Sequence, residues 1–128
     1  MNGYCGKLLR IDLTTKQIAT EAIDEGLAKR FVGGRGLGTY LLTQEVDPQA
    51  DALSPENKLI LATGPLTGSK MPASGRFMAI TKGPLTGTVA CSNSGGYWGP
   101  ELKFAGYDMI VVEGRADAPC WSPSATTT

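Results

Sequence analysis

Residues Lys58–Gly68 read KLILATGPLTG, and residues Phe77–Gly87 read FMAITKGPLTG. One loop, GPLTG, thus closes two apolar runs, starting at Gly64 and again at Gly83. Short apolar runs bounded by Gly and Pro predict strands. Each loop leads into small polar residues: SKMPASGR (69–76) after the first, and TVA then CSNSGG (91–96) after the second. Two uses of the repeat stay open at this point. The loops could face one bound object from two sides, or they could be plain turns.

Working outward, KLLRIDLTTKQIATEAI (7–23) alternates Leu9, Ile11 and Leu13 with polar residues around a TTK turn, which predicts a hairpin. DEGLAKRFVGG (24–34) predicts a short helix capped by Asp24 and stopped at Gly33-Gly34. GRGLGTYLLTQEV (34–46) re-enters helix, with Leu37, Tyr40, Leu41 and Gln44 at helical spacing. Strands are expected at Lys58–Thr63, Phe77–Thr81 and Thr88–Cys91. A helix follows the glycines of GGYWGPELKFAG (95–106), and YDMIVVEG (107–114) is a strand with a β-branched centre. The fold class is α+β, rich in β-sheet, with short helices and an internal near-repeat.

The chain's 128 residues suffice for one domain with a core. Lys plus Arg equals Asp plus Glu at 12 each, so no net field draws in nucleic acid or a membrane surface. No apolar segment is long enough to span a bilayer, and the first residues do not resemble a secretory leader, so a cytoplasmic location is expected. The three cysteines, Cys5, Cys91 and Cys120, form neither a disulfide framework nor a metal motif. There is no histidine, which removes Ser-His-Asp, Cys-His and His-metal chemistry from these residues. No catalytic and no metal-ligating residue is therefore assigned.

Three segments remain. GGRGLG (33–38) lacks the spacing of a dinucleotide fingerprint and follows a helix, so it reads as a helix-loop-helix junction, with Arg35 left unassigned. PASGR (72–76) places Arg76 in a loop of small residues. Small residues admit close backbone approach, and a guanidinium suits phosphate or a fused heterocycle; a plain surface arginine in a flexible loop is the other reading the spacing leaves open. In CSNSGGYWG (91–99), Asn93 and Ser94 precede Gly95 and Gly96, where a helix is expected to start with free N–H groups able to take an anion. Asn93 could cap that helix or bond a ligand amide edge. Tyr97 and Trp98 are expected to pack. Together, Arg76 and Asn93–Gly96 suit a flat, phosphate-bearing ligand held mainly by backbone.

FVGGRGLGTYLL, LSPENKLILATGPLTG, ASGRF, TKGPLTG and NSGGYWGPELKFAGYDMIVVEG occur here in one order and spacing. In this they resemble the N-terminal domain of the aldehyde ferredoxin oxidoreductases, over about residues 3 to 118. The resemblance implies a β-rich cradle beneath a bis-pterin cofactor of tungsten, sometimes molybdenum, whose phosphates are bridged by magnesium. It implies pterin contacts from Arg76, Asn93 and Gly95. Ser94 and Gly96, inside the same NSGG segment, are included among the cofactor-binding residues. It further implies aldehyde oxidation to carboxylic acid, ferredoxin or another electron acceptor as partner, and a [4Fe–4S] cluster held in later domains. It leaves a homo-oligomer open. One GPLTG unit per pterin is the expectation that follows for the repeat.

Residues 1–118 are thus read as the cradle domain and 119–128 as a tail outside the family pattern. CWSPSATTT cannot make a buried strand. Regrouped by one base, its codons yield an apolar strand and a polar turn, so a one-base deletion near codon 120 is expected. The loss of a following strand is expected to leave Met109–Val112 at an open edge, with Trp98 and Phe104 facing water. Two other readings stay open: a remnant or interaction module without metal, and a general phosphate-ligand binding module.

Overall fold

The computed structural model describes residues 2–119. The tail beyond Pro119, with its frame-shifted reading, lies outside the described residues. Nine elements follow in order: β1 (Lys7–Asp12), β2 (Gln17–Ala22), α1 (Glu25–Phe31), α2 (Gly34–Glu45), β3 (Lys58–Thr63), β4 (Phe77–Lys82), β5 (Val89–Ser94), α3 (Trp98–Phe104) and β6 (Met109–Glu113). The α+β class holds.

All six strands form one sheet in the order β2-β1-β6-β3-β4-β5. β1 and β2 are a hairpin, and β3, β4 and β5 an antiparallel meander. β6 joins the two pieces, parallel to β1 (Leu9 opposite Ile110) and antiparallel to β3 (Leu61 opposite Ile110). The expected open edge at Met109–Val112 is therefore wrong. Both sides of β6 are already paired.

Side chains alternate across the sheet. One face presents Leu8, Met109, Val111, Ile60, Ala62 and Ile80, and the amphipathic α2 covers it with Leu37 and Leu42. Gly38 lets α2 lie close, since a Cβ there would stand 2.6 Å from Ile80 Cδ1. α1 starts where expected, with Asp24 Oδ1 accepting from the Leu27 N–H at 2.9 Å. It ends at Val32 rather than at the glycines, with Val32 itself at φ 66°. The other face carries Leu9, Ile11, Leu61, Ile110 and Val112, and α3 touches it where Trp98 meets Phe77 at 4.4 Å between ring centroids.

Charge fixes the far end of α2. Arg10 Nη1 and Nη2 donate to the two oxygens of Glu45, each at 2.9 Å, and its Nε donates to Glu21 at 2.6 Å. Lys58 Nζ reaches Glu45 at 2.6 Å and Glu113 at 2.7 Å. Burial alone would raise the Glu45 carboxyl, but hydrogen bonds from Arg10 and Lys58 outweigh it and hold the group below its ordinary range. Burial likewise opposes the Lys58 charge, and Glu113 and Glu45 outweigh it and raise the amine. Hydrogen bonds from Glu21 and then Glu45 raise the Arg10 guanidinium.

Candidate functional site

The two GPLTG loops do not share a site. β3 and β4 are antiparallel, with Thr63 opposite Phe77. The first loop therefore leaves at the Phe77 end of the sheet, and the second turns the chain at the Lys82 end. Six-residue strands separate those ends by roughly 20 Å. The two loops therefore do not face one common corner.

Their environments differ accordingly. In the first copy Thr67 is buried, and its Oγ1 accepts from the Gly64 N–H at 3.1 Å and donates to the Arg76 carbonyl at 3.3 Å. The loop is thereby stapled to the segment that carries Arg76. In the second copy Thr86 meets only its neighbour Thr88, hydroxyl to hydroxyl at 2.9 Å, on the exposed β4–β5 turn. The second GPLTG is a hairpin turn, and the first is part of a built corner.

That corner gathers the residues singled out in the sequence. Asn93 lies on β5 opposite Met78, one strand from the segment bearing Arg76. Arg76 Nη1 donates to Asn93 Oδ1. β5 runs through Asn93 to Ser94, three residues further than its predicted end at Cys91. Asn93 therefore does not cap α3. That helix starts only at Trp98, and no side chain caps it. The chain between is Gly95-Gly96-Tyr97, in which Gly96 has φ 97°. A Cβ on Gly95 or Gly96 would meet nothing within 4 Å, so both backbones face open space. Ser94 is exposed and bonds only locally, its Oγ to the Gly95 carbonyl at 3.4 Å.

Close backbone packing holds this arrangement. A Cβ on Gly75 would stand 3.0 Å from the Gly96 carbonyl oxygen, and one on Gly99 would stand 3.0 Å from the Gly75 carbonyl and 3.1 Å from Thr67 Cγ2. The Arg76 loop, the Gly95-Gly96 turn and the first GPLTG thus touch through glycines. Trp98 packs on Phe77 and so does not stand free in water as the truncated-sheet reading had it, whereas Tyr97 is 87% exposed and does not pack. Phe104 is exposed, as expected.

Beside Arg76 lies a cavity of about 420 Å³. The first GPLTG, Met78, Arg76 and the start of α2 with Arg35 line it, and no acidic side chain does. Arg35, unassigned in the sequence, thus shares this cavity with Arg76, whereas Asn93, Ser94, Gly95 and Gly96 do not line it. Its only sequence signal was its position after two glycines at a helix start. Thr67 was missed altogether, because nothing in GPLTG distinguishes a buried copy from an exposed one. No group of His, Cys, Asp and Glu able to hold a metal ion occurs among the described residues. Nor is any helix there long and apolar enough to cross a membrane.

The domain is thus one sheet covered on one face by α2, with a corner at its end where Arg76, Asn93 and several glycines meet. The family model described as "Aldehyde ferredoxin oxidoreductase, N-terminal domain" matches residues 8–122, and the chain belongs to that family. It is 57% identical over 121 residues to a tungsten-containing aldehyde ferredoxin oxidoreductase of Pyrococcus abyssi, covering 94% of this chain and 20% of that protein. It is 40% identical over 124 residues to the WOR-like subunit of an aliphatic sulfonate oxidoreductase of Pyrococcus furiosus, with the same coverage. Among solved structures, the active site complex BamBC of benzoyl coenzyme A reductase with 1,5-dienoyl-CoA superposes at a TM-score of 0.88. That match has 37% identity and covers 91% of this chain and 18% of the other. The chain spans about a fifth of the length of the curated relatives it matches.

Proposed function

We propose that this domain holds one side of a pterin-based tungsten or molybdenum cofactor in an enzyme that oxidises aldehydes to carboxylic acids and passes the electrons to ferredoxin. The carrying observation is the corner where Arg76, bonded to Asn93, meets the open Gly95-Gly96 turn beside an acid-free cavity. The residues present fit such a group. A pterin offers a planar heterocycle edge and a phosphate, and the corner offers a guanidinium fork, an amide and bare backbone. The cofactor, when bound, supplies the redox chemistry at its metal.

This chain's residues bind and orient. Arg76 keeps N–H groups beyond the one it gives to Asn93, and that bond holds its guanidinium beside β5. Gly95 and Gly96 leave room for a ligand to reach main-chain N–H groups. Thr67 holds the Arg76 backbone in place through its hydroxyl. The magnesium between cofactor phosphates, the [4Fe–4S] cluster in later domains and any homo-oligomer belong to this same proposal, and rest on the family alone.

The test is Arg76→Ala in a full-length family protein carrying this domain. Loss of a charge-assisted hydrogen bond to a bound ligand costs about 1.5–3 kcal/mol, whereas an exposed loop arginine contributes little to the fold. Metal and pterin content should fall by tenfold or more while the cofactor-free protein melts unchanged. Undiminished metal content would refute the role.

A further inference from the structure

A second arginine lines the cavity beside Arg76. Arg35, the second residue of α2, lines it from the opposite element, and Arg76 lines it from the loop before β4. No carboxylate lines the cavity, and among the described residues Arg35 makes no ion pair or side-chain hydrogen bond. Contrast Arg10, whose guanidinium meets three carboxylates of its own chain. Two arginines bordering one concave space that no carboxylate lines make it a place suited to an anion.

The position of Arg35 is fixed by tight packing. Gly33 has φ 143°, and a Cβ on it would stand 3.0 Å from the Thr63 carbonyl oxygen and 3.3 Å from Gly64 Cα. The entry to α2 is therefore seated directly on the start of the first GPLTG. The same loop is stapled to the Arg76 carbonyl by Thr67. One loop thus anchors the backbone of both arginine-bearing segments.

We infer that Arg35 is a second anion contact of the cofactor site, taking a phosphate group of the ligand whose other contacts are Arg76 and Asn93. This deepens the proposed function and rests on it.

The test uses Arg35→Gln, Arg35→Lys and Arg76→Gln in a full-length family protein carrying this domain. Three quantities are read: tungsten and pterin retained per polypeptide after gel filtration, the dependence of that retention on salt, and the melting temperature of the cofactor-free protein. Arg35→Gln should retain about tenfold less cofactor, with unchanged melting, because one charged hydrogen-bonding contact is lost. Its retention should depend less steeply on salt than the parent's. Arg35→Lys, which keeps the charge and loses the fork, should fall between. If Arg35→Gln does not fold, Arg35→Met keeps the stem without the charge and is read in the same way. Full retention in Arg35→Gln with loss in Arg76→Gln would overturn this inference and leave the proposed function standing. Full retention in both overturns both. Loss of cofactor that tracks a lowered melting temperature of the cofactor-free protein assigns Arg35 to the fold and also overturns the inference.

Discussion

Gly36→Ala in α2 should destabilise this protein, against the ordinary rule for helices. An alanine in place of a helical glycine gains up to about 1 kcal/mol. At Gly36, however, the added Cβ would overlap the Phe31 carbonyl oxygen, with Phe31 C at 3.4 Å and Phe31 Cβ at 3.7 Å. The obstacle is backbone, so no rotamer change relieves it. The end of α1 must shift instead. Phe31 is held there by stacking on Tyr40 at 4.5 Å, and its carbonyl accepts from the Gly33 N–H at 2.8 Å. Overpacking of this kind costs about 1–3 kcal/mol, and disturbing the hydrogen bond adds about 1 kcal/mol. After the helical gain is subtracted, a net loss of about 1–3 kcal/mol remains. Denaturant unfolding of parent and variant reads this as a lower midpoint at equal slope. A variant as stable as its parent, or more so, would refute the packing argument for the α1–α2 junction.

Asn57→Ala should cost about 2–3 kcal/mol, because one side chain bonds the Ala52 and Lys82 carbonyls at 2.8 and 3.0 Å and accepts from the Lys58 N–H at 2.8 Å; a thermal melt measures it. Stability should have an acid arm and an alkaline arm. Glu45 is lowered on folding, so its contribution is present above its ordinary value of 4.5 and is lost as pH falls further. Lys58 is raised, so its contribution is present below its ordinary 10.5 and is lost at higher pH. Glu45→Gln should flatten the acid arm of a pH series of melts, and an unchanged arm would count against the ion network. Gly95→Ala should leave the cofactor-free fold within about 0.5 kcal/mol of the parent, since its Cβ meets open space, yet lower cofactor content. Equal content would show that the bare backbone there is not for a ligand.

Much of this fold was legible because its elements obey local rules. Asp24 before Leu27 and Ala28 announces α1, and MIVVE could hardly be anything but a strand. Sheet order was not legible. That β6 inserts between β1 and β3 depends on partners about a hundred and about fifty residues away, which no local pattern encodes. The length of β5 was missed for a related reason. Ser92, Asn93 and Ser94 have poor strand propensity, and pairing with Phe77, Met78 and Ala79 overrides it. At the candidate site the residue types could be read but their arrangement could not. Two identical GPLTG segments predict one environment, and antiparallel pairing gives them two.

The placement of β6 also governs when the molecule can assemble. The hairpin of β1 with β2 and the meander of β3 to β5 are each made of neighbours in sequence, and such pairings form early at small entropic cost. Neither piece can join the other until Met109–Glu113 arrives to lie between them. On a translating ribosome the first hairpin therefore waits with one side unpaired while about a hundred further residues are made. Joining of the two pieces into one sheet is therefore expected late. The Arg76–Asn93 contact itself lies within the meander, whereas the Gly96 and Gly99 contacts that complete its corner come from the chain that follows.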